Sequence, residues 1–217
     1  MTRARLVETR APRQPAAAAL VLHGGAQRPG NPEVSPTQLS VLRMVPVAQR
    51  LAREGRGRLA VFRVLNSARG WDASTTPVDD VTWALAAVRE RYGDLPVGLV
   101  GHSLGGRAAL LAGGGAGVRS VVALNAWVYP TDAPDLRGRR VLFVHGSDDR
   151  IADPARARAV ARSLSGRAEV TWVDVPGGRH AMLRHGRTFE REAARFTADA
   201  LLQPGQVGRA AEDAREA

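Results

Sequence analysis

The chain has 217 residues and no cysteine, which excludes disulfide scaffolds, thiolate metal sites and cysteine nucleophiles. Its length suits one domain with a sizeable core, and the shares of apolar (44%) and charged (24%) residues are ordinary for a globular protein. The formal net charge of +10 comes from arginine alone, because the chain has no lysine. These arginines are scattered and form no stripe with interleaved aromatics, so we expect no specific nucleic-acid partner.

The N-terminal segment, Met1 to Pro15, alternates basic and polar residues and has no apolar stretch of the kind that signal peptides carry. No apolar run along the chain reaches the ~18 residues that a membrane-spanning helix needs. We therefore expect a cytoplasmic protein without a membrane partner, acting as a monomer or a homodimer.

Short apolar runs rich in valine and leucine recur along the chain and predict strands that are buried on both faces. In chain order they are Leu20–Leu22, Leu59–Leu65, Val97–Val100, Val118–Leu124, Val141–Val144 and Val170–Val175. Amphipathic stretches lie between these runs. The alternation predicts an α/β fold in which helices cover both faces of a mostly parallel sheet.

A capping residue followed by proline marks the start of three predicted helices. The pairs are Ser35-Pro36 ahead of Leu39 to Leu51, Thr76-Pro77 ahead of Val78 to Arg91, and Asp153-Pro154 ahead of Ala155 to Leu164. Pro46 is expected to kink or restart the first of them. Arg184 to Leu202 has the pattern of a last amphipathic helix.

No internal repeat or linker divides the chain, so residues 1–202 are predicted to form a single domain. Residues 203–217 contain proline, glycine and many charges but little apolar periodicity. This composition predicts a frayed or disordered tail.

The strongest chemical signal is Gly101-His102-Ser103-Leu104-Gly105-Gly106, which contains G-x-S-x-G. It follows the predicted strand Val97–Val100 and precedes a helix-like stretch, Arg107 to Ala112. A nucleophile elbow requires this strand–turn–helix context, because the serine hydroxyl must stand clear of the sheet. The flanking glycines let neighbouring backbone approach without a Cβ clash. Ser103 is therefore the predicted nucleophile.

A serine hydroxyl is a poor nucleophile unless a base removes its proton. Among the five histidines, His180 follows the run Val170–Val175 through a short loop, which puts it at the end of a strand late in the chain. We predict His180 as the base, with His185 as the alternative. His102 abuts the nucleophile, but the turn should aim its ring elsewhere, and it is at most a substrate contact.

An acid must orient that imidazole and stabilise its charged form. Asp148 and Asp149 follow Val141–Val144, at the carboxyl end of a buried strand, where sites form in open α/β sheets. Asp149 is the preferred acid and Asp148 the alternative. The resulting order along the chain, nucleophile then acid then base, is the one expected of this architecture.

An oxyanion hole needs amide donors close to the nucleophile. The backbone N–H of Leu104 is one candidate, and the N–H of Gly25 or Ala26, in the loop after the first buried strand, is the other. His23 and His145 each precede a glycine at the end of a strand. We expect them to hold their loops by hydrogen bonds.

Together these motifs resemble those of the α/β-hydrolase superfamily, over roughly Leu20 to Leu202. The four matching segments are Leu22-His23-Gly24-Gly25 (the oxyanion loop), Gly101 to Gly106 (the elbow), His145-Gly146-Ser147-Asp148-Asp149-Arg150-Ile151 (the H-G-x-x-D-x-V/I acid loop) and Gly178-Arg179-His180 (the histidine loop). The resemblance places the acid on Asp149. It implies a serine hydrolase that acts on a small ester or thioester without a cofactor or metal.

Many members of the superfamily insert a helical cap before the strand that carries the acid. Here only Asn125 to Arg140 separates the two flanking strands, which leaves no room for a cap domain. The chain is thus similar to dienelactone hydrolases and small carboxylesterases. Dienelactone hydrolases typically use a cysteine nucleophile, which argues against that activity here.

Without a cap, the site should be an open cleft. Its expected walls are the loops Gln27 to Val34, Asn66 to Thr75 and Asn125 to Pro130. Three aromatic residues in these walls, Trp71, Trp127 and Tyr129, are expected either to contact substrate or to pack against the scaffold.

Three activities remain compatible with these residues. The first is hydrolysis of an ester or thioester through an acyl-enzyme. The second keeps the same triad for acyl transfer or peptide cleavage. The third is a catalytically idle binding protein on the same fold, since a fold does not guarantee a function.

Overall fold

The computed structural model describes residues 3–27, 33–71, 75–132 and 134–203. The strands are β1 (Arg5–Arg10), β2 (Ala17–Leu22), β3 (Leu59–Leu65), β4 (Val97–His102), β5 (Val118–Leu124), β6 (Arg140–Gly146) and β7 (Glu169–Val175). The helices are α1 (Leu39–Leu42), α2 (Met44–Glu54), α3 (Thr76–Tyr92), α4 (Leu104–Leu111), α5 (Pro154–Leu164) and α6 (Gly186–Leu202).

The strands form one twisted sheet in the order β1-β3-β2-β4-β5-β6-β7. All neighbours are parallel except β1, which runs antiparallel to β3 at the edge. The six apolar runs all form strands, as predicted, and they end at one edge of the sheet. Strand β1 has no apolar run because it lies at the edge and alternates exposed and half-buried residues.

Both faces of the sheet are covered, which confirms the predicted α/β architecture. Successive residues of a strand point to opposite faces, so each strand contributes to two cores. One core packs side chains such as Leu20, Leu99 and Phe143 against α3, α4 and α5. The other packs residues such as Val100 and Val122 against α2 and α6.

The first predicted helix starts later and breaks earlier than its sequence suggests. The Ser35 hydroxyl accepts a hydrogen bond from the Thr37 amide, so it forms a turn, and the helix begins only at Leu39. The break falls at Arg43, not at Pro46. Pro46 lies in the first turn of α2, where its missing N–H breaks no intrahelical bond.

The other helix starts agree more closely with the sequence. Helices α3 and α5 cover the stretches predicted for them, and Asp153 caps α5 by accepting a 2.8 Å hydrogen bond from the Ala155 amide. Helix α4 begins at Leu104, directly after the predicted nucleophile. The last helix begins at Gly186, two residues later than predicted.

Between β5 and β6, the described residues 125–132 and 134–139 contain no helix. No cap domain therefore covers the carboxyl edge of the sheet at this point, as predicted. The tail predicted for residues 203–217 lies outside the described residues except for Gln203. Within the described ranges, every helix is too short or too polar to cross a bilayer.

We predict that Phe189→Ala lowers the free energy of unfolding by about 3–5 kcal/mol. The Phe189 ring is fully buried where α6 packs on the sheet, and its removal would leave a cavity. Urea unfolding measures the change. Arg187→Ala, an exposed change on the same helix, serves as the control and should stay within about 0.5 kcal/mol of the parent. Equal stabilities of the two variants would contradict this packing.

Candidate active site

Ser103 occupies the sharp turn between β4 and α4. Its backbone has φ 57° and ψ −122°, a conformation that non-glycine residues rarely adopt. The strain persists because backbone hydrogen bonds fix both sides of the residue. The Ser103 amide donates to the carbonyl of Leu124, and the Ser103 carbonyl accepts from the amides of Gly106 and Arg107. The turn lifts the hydroxyl above the carboxyl edge of the sheet.

The glycines around the nucleophile are required by close backbone contacts. A Cβ atom on Gly101 would overlap the carbonyl of Gly105, and one on Gly105 would lie 2.6 Å from the Leu22 carbonyl oxygen. A Cβ on Gly24 would lie 2.9 Å from the Cβ of Ser103. The loop after β2 therefore rests directly against the nucleophile.

The structure brings the three predicted triad residues into one hydrogen-bonded chain. His180 Nε2 lies 3.0 Å from Ser103 Oγ, and His180 Nδ1 lies 2.8 Å from Asp149 Oδ2. An ionised Asp149 accepts only, so Nδ1 carries the proton and Nε2 accepts from the serine hydroxyl. The side chain of Asp149 is fully buried and that of His180 is 13% exposed.

The surroundings of Asp149 keep it ionised. Burial raises its pKa, but hydrogen bonds from His145, His180 and the amides of Ile151 and Ala152 outweigh burial and hold the pKa well below its usual range. The two amides donate to Oδ1 at 2.8 and 2.9 Å, which leaves Oδ2 for the two imidazoles, His180 at 2.8 Å and His145 at 3.5 Å. His145 also donates to the Ala152 carbonyl, so it holds its loop as predicted.

The acid loop and the histidine loop are locked together. A Cβ on Gly146 would overlap the backbone of Gly178, and the Asp148 amide donates to the Gly178 carbonyl at 2.9 Å. The exposed Asp148 side chain, the alternative acid, accepts instead from the Ser147 hydroxyl. The alternative base, His185, lies at the start of α6 and does not share in the hydrogen-bonded chain.

Two buried side chains, His102 and Asn125, hold the backbone of His180. His102 Nε2 donates to the His180 carbonyl at 2.8 Å. Asn125 Nδ2 donates to the carbonyls of Arg179 and His180, and Asn125 Oδ1 accepts from the Gly146 amide. Sequence reasoning placed Asn125 only at the start of a cleft wall. The available signal was an amide side chain directly after a buried strand.

His102 is buried and does not line the site, so the structure excludes it as a substrate contact and agrees with the expectation that the turn aims its ring elsewhere. Its side chain lies beneath the His180 backbone and the residue is 1% exposed. Burial, together with the positive charge that His180 can carry, lowers the pKa of His102 to about 3. The ring therefore stays neutral and keeps its donor on Nε2.

The predicted oxyanion donors lie on both sides of the nucleophile. The Leu104 amide is the first of α4, and the first amides of a helix have no intrahelical acceptor. Gly25 and the exposed Ala26 follow Gly24, which contacts Ser103. The φ of 139° at Gly25 is one that side chains rarely allow.

His23 fixes the loop after β2, as its position before a glycine predicted. His23 Nδ1 donates to the Gly24 carbonyl at 2.6 Å, and Nε2 accepts from the Asn66 amide at 3.2 Å. This pairing needs a neutral ring. Burial keeps the ring neutral, because it lowers the pKa of His23.

Two of the three aromatic residues of the walls, Trp71 and Tyr129, pack on an arginine that the sequence did not single out. The guanidinium of Arg107 lies 4.4 Å from the ring centre of Trp71 and 4.6 Å from that of Tyr129. It also forms a two-pronged ion pair with Asp132 at 2.8 and 3.0 Å. Trp127 contacts Tyr129 edge to face at 4.9 Å. This cluster joins the loops that follow β3 and β5.

Two expected walls are described only in part. Residues 28–32 of the loop Gln27 to Val34 and residues 72–74 of the loop Asn66 to Thr75 lie outside the described ranges. The third wall is described through residue 132, beyond Pro130.

No protein-family model matches the sequence, and a comparison with curated protein sequences gives no match. Solved structures, in contrast, superpose over nearly the whole chain. XC6422 from Xanthomonas campestris, described as an a/b serine hydrolase without lid, aligns with a TM-score of 0.67 at 17% identity, over 94% of this chain and 98% of that chain. Est1E from Butyrivibrio proteoclasticus aligns with a TM-score of 0.66 at 14% identity, over 92% and 94%.

A truncated carbohydrate esterase from gut microbiota gives a TM-score of 0.70 at 14% identity, over 92% of this chain and 91% of that chain. The order and direction of the strands, with these superpositions, define an α/β-hydrolase fold. Among the described residues, no helix lies between β5 and β6, and one of these neighbours is described as a hydrolase without lid.

We predict that His102 makes stability fall as the pH is lowered from ~6.5 towards ~4. The unfolded chain binds a proton at His102 in this range and the folded chain does not, so the free energy of unfolding rises with pH, by about 1.4 kcal/mol per pH unit for one such group. His102→Gln should reduce this slope in urea unfolding measured at several pH values. His185→Gln is the control for loss of a histidine. Equal slopes in the parent and His102→Gln would contradict the assignment.

Proposed function

We propose that this chain is a serine hydrolase that cleaves a carboxylic ester or thioester through an acyl-enzyme. The observation that carries the proposal is the hydrogen-bonded chain Ser103–His180–Asp149 at the carboxyl edge of the sheet. Structures with the same fold are described as esterases and serine hydrolases, which supports the reaction class.

In the first step, Ser103 Oγ attacks the carbonyl carbon of the substrate while His180 Nε2 takes the hydroxyl proton. The carbonyl π bond becomes a lone pair on an oxyanion. Asp149 stabilises the imidazolium that forms, because its carboxylate is buried, ionised and bonded to Nδ1. The amides of Leu104 and of Gly25 or Ala26 are the donors for the oxyanion.

In the second step, the tetrahedral intermediate collapses and its bond to the leaving oxygen or sulfur breaks. His180 Nε2 gives its proton to that atom, and the acyl group stays on Ser103. A water molecule, deprotonated by His180, then attacks the acyl-enzyme, and Ser103 recovers its proton when the acid is released.

The open site favours hydrolysis over transfer. No cap covers the described loops after β5, and part of the His180 ring is exposed, so water can reach the acyl-enzyme. An idle binding protein has no need of a strained serine in contact with an oriented base. Hydrolysis is therefore the function that these residues support best.

We expect a fluorophosphonate to label Ser103, located by peptide mapping. Labelling should vanish in Ser103→Ala and slow greatly in His180→Ala, because the hydroxyl then lacks its base. Ester turnover should fall on the order of 10⁴-fold or more in either variant.

The matched controls are Ser165→Ala and His185→Ala, which remove an exposed serine at the end of α5 and a histidine outside the triad. Both should label at a rate close to that of the parent. Turnover that survives in Ser103→Ala, or label on another residue, would overturn the proposal.

We expect Gly24→Ala to lower the rate of Ser103 labelling at least tenfold. The added methyl group would lie 2.9 Å from the Ser103 Cβ and 3.0 Å from the His102 carbonyl oxygen, so the nucleophile or the oxyanion loop must shift. Misplacement of about 1 Å costs on the order of 10²-fold in rate. Gly166→Ala is the control, because a Cβ there meets no atom within 4 Å. Unchanged labelling of Gly24→Ala would show that this contact is not needed.

A further inference from the structure

An apolar groove of about 390 Å³ lies beside the catalytic residues. One wall comes from α1 and the start of α2, with Leu39, Leu42 and Pro46. The opposite wall is the segment 181–183, which directly follows His180, and the start of α6 closes the groove. This volume is at the lower end of the range for small-ligand sites in proteins.

The groove is lined in part by large apolar side chains that are exposed to solvent. Among the described residues, six large apolar side chains are exposed, and three of them, Leu39, Leu42 and Leu183, line this groove. Leu39 is 76% and Leu183 is 81% exposed. Exposed apolar surface gathered in a concave site is typical of binding sites.

Both walls adjoin the catalytic machinery. A Cβ on Gly25 would lie 3.2 Å from the hydroxyl of Ser40 in α1, so this wall rests against the oxyanion loop. In the opposite wall, the Met182 side chain is buried against Phe189, which fixes the segment after His180 and turns Leu183 outward. The groove is thus bounded by the segment that follows the base and by the helix that contacts the oxyanion loop.

The direction of proton transfer assigns the groove to one half of the substrate. His180 Nε2 must protonate the leaving oxygen or sulfur, so the leaving group lies on the His180 side of the carbonyl carbon. The wall 181–183 directly follows His180 in the chain, so it is the part of the groove that such a leaving group would meet.

We propose that this groove binds the leaving group of the substrate and that it selects an apolar, uncharged alkyl alcohol or thiol. The inference rests on the proposed serine hydrolase. Of the eleven lining residues only Arg43 and Glu190 are charged, and their charges are opposite. The lining therefore gives no net preference for a charged chain, and burial of methylene groups supplies the selectivity.

A larger cavity, of about 600 Å³, does not compete for this role. It lies among α3, α4 and the amino-terminal ends of β4 and β5, with Val97 and Gly117 in its wall. The triad stands at the carboxyl ends of the strands, on the opposite edge of the sheet. A chain bound in that cavity could not be attached to a carbonyl at Ser103.

The test compares two ester series at the same site. Acetate esters of straight-chain alcohols, from ethanol to octanol, lengthen only the leaving group. Ethyl esters, from acetate to octanoate, lengthen only the acyl group. We expect kcat/KM of the parent to rise along the alcohol series by up to about fourfold for each methylene that becomes fully buried.

Leu39→Asn and Leu183→Asn should flatten the alcohol series, so that the loss of kcat/KM relative to the parent grows with the length of the alcohol. Both side chains are exposed, so the variants should fold, and thermal unfolding checks this. Trp83→Asn is the control, because Trp83 is an exposed apolar residue on α3, outside the groove. It should keep the full slope of the parent.

The proposal is overturned if both leucine variants keep the slope of the parent, or if they flatten the acyl series in place of the alcohol series. A dimer in sedimentation that dissociates in Leu183→Asn, with ester kinetics unchanged, would assign the groove to self-association. If the proposed serine hydrolase activity itself is wrong, the result differs from these outcomes. Ethyl acetate would then not be hydrolysed and Ser103 would not be labelled. That result would overturn both proposals.

Discussion

Close contact between backbone segments at the carboxyl edge of the sheet is the constraint on which the candidate site depends. Gly101 lets the elbow close on itself, and Gly105 lets the end of β2 approach it. Gly24 brings the loop after β2 against Ser103, and Gly146 meets Gly178 where the acid loop and the histidine loop touch. At each contact a side chain would push the segments apart. Ser103, Asp149 and His180 come from distant parts of the chain, so their spacing is set by these contacts and not by the side chains themselves. Backbone contacts of this kind are stiff, which suits a site that must hold three hydrogen-bonded groups in line.

Buried polar side chains also hold the loops of the candidate site in place. Asn125 and His102 hold the carbonyl of His180, and His23 holds the loop that faces the nucleophile. The rings of His23 and His102 are kept neutral by burial, so they act as fixed donors and acceptors. Asp149 is held in the opposite state, as an anion, by amides and imidazoles that donate to it. The site thus combines neutral rings that fix geometry with one carboxylate that supplies charge.

The sequence predicts the buried strands of the sheet better than it predicts the edge strand and the start of the first helix. The six buried strands were predictable because strands covered on both faces must be apolar throughout. Strand β1 lies at the edge of the sheet and has no such apolar run. The helix start at Ser35 was wrong because a serine that can cap a helix can equally cap a turn. The positions of Ser103, Asp149 and His180 followed from strand ends and a strained turn. The roles of Asn125 and Arg107 did not, because both depend on contacts between residues far apart in the chain.

The cluster around Arg107 couples the loops that follow β3 and β5, which affects how their sequences can diverge. One guanidinium, on the helix that begins at the nucleophile, contacts Trp71 from one loop and Tyr129 and Asp132 from another. Replacement of either loop alone would leave the half-buried charge without a ring or without its carboxylate. Substitutions in the two loops are therefore not independent, and their energetic effects should not add. Divergence of the cleft is accordingly constrained to paths in which both loops and the arginine are exchanged together, while the triad stays unaltered.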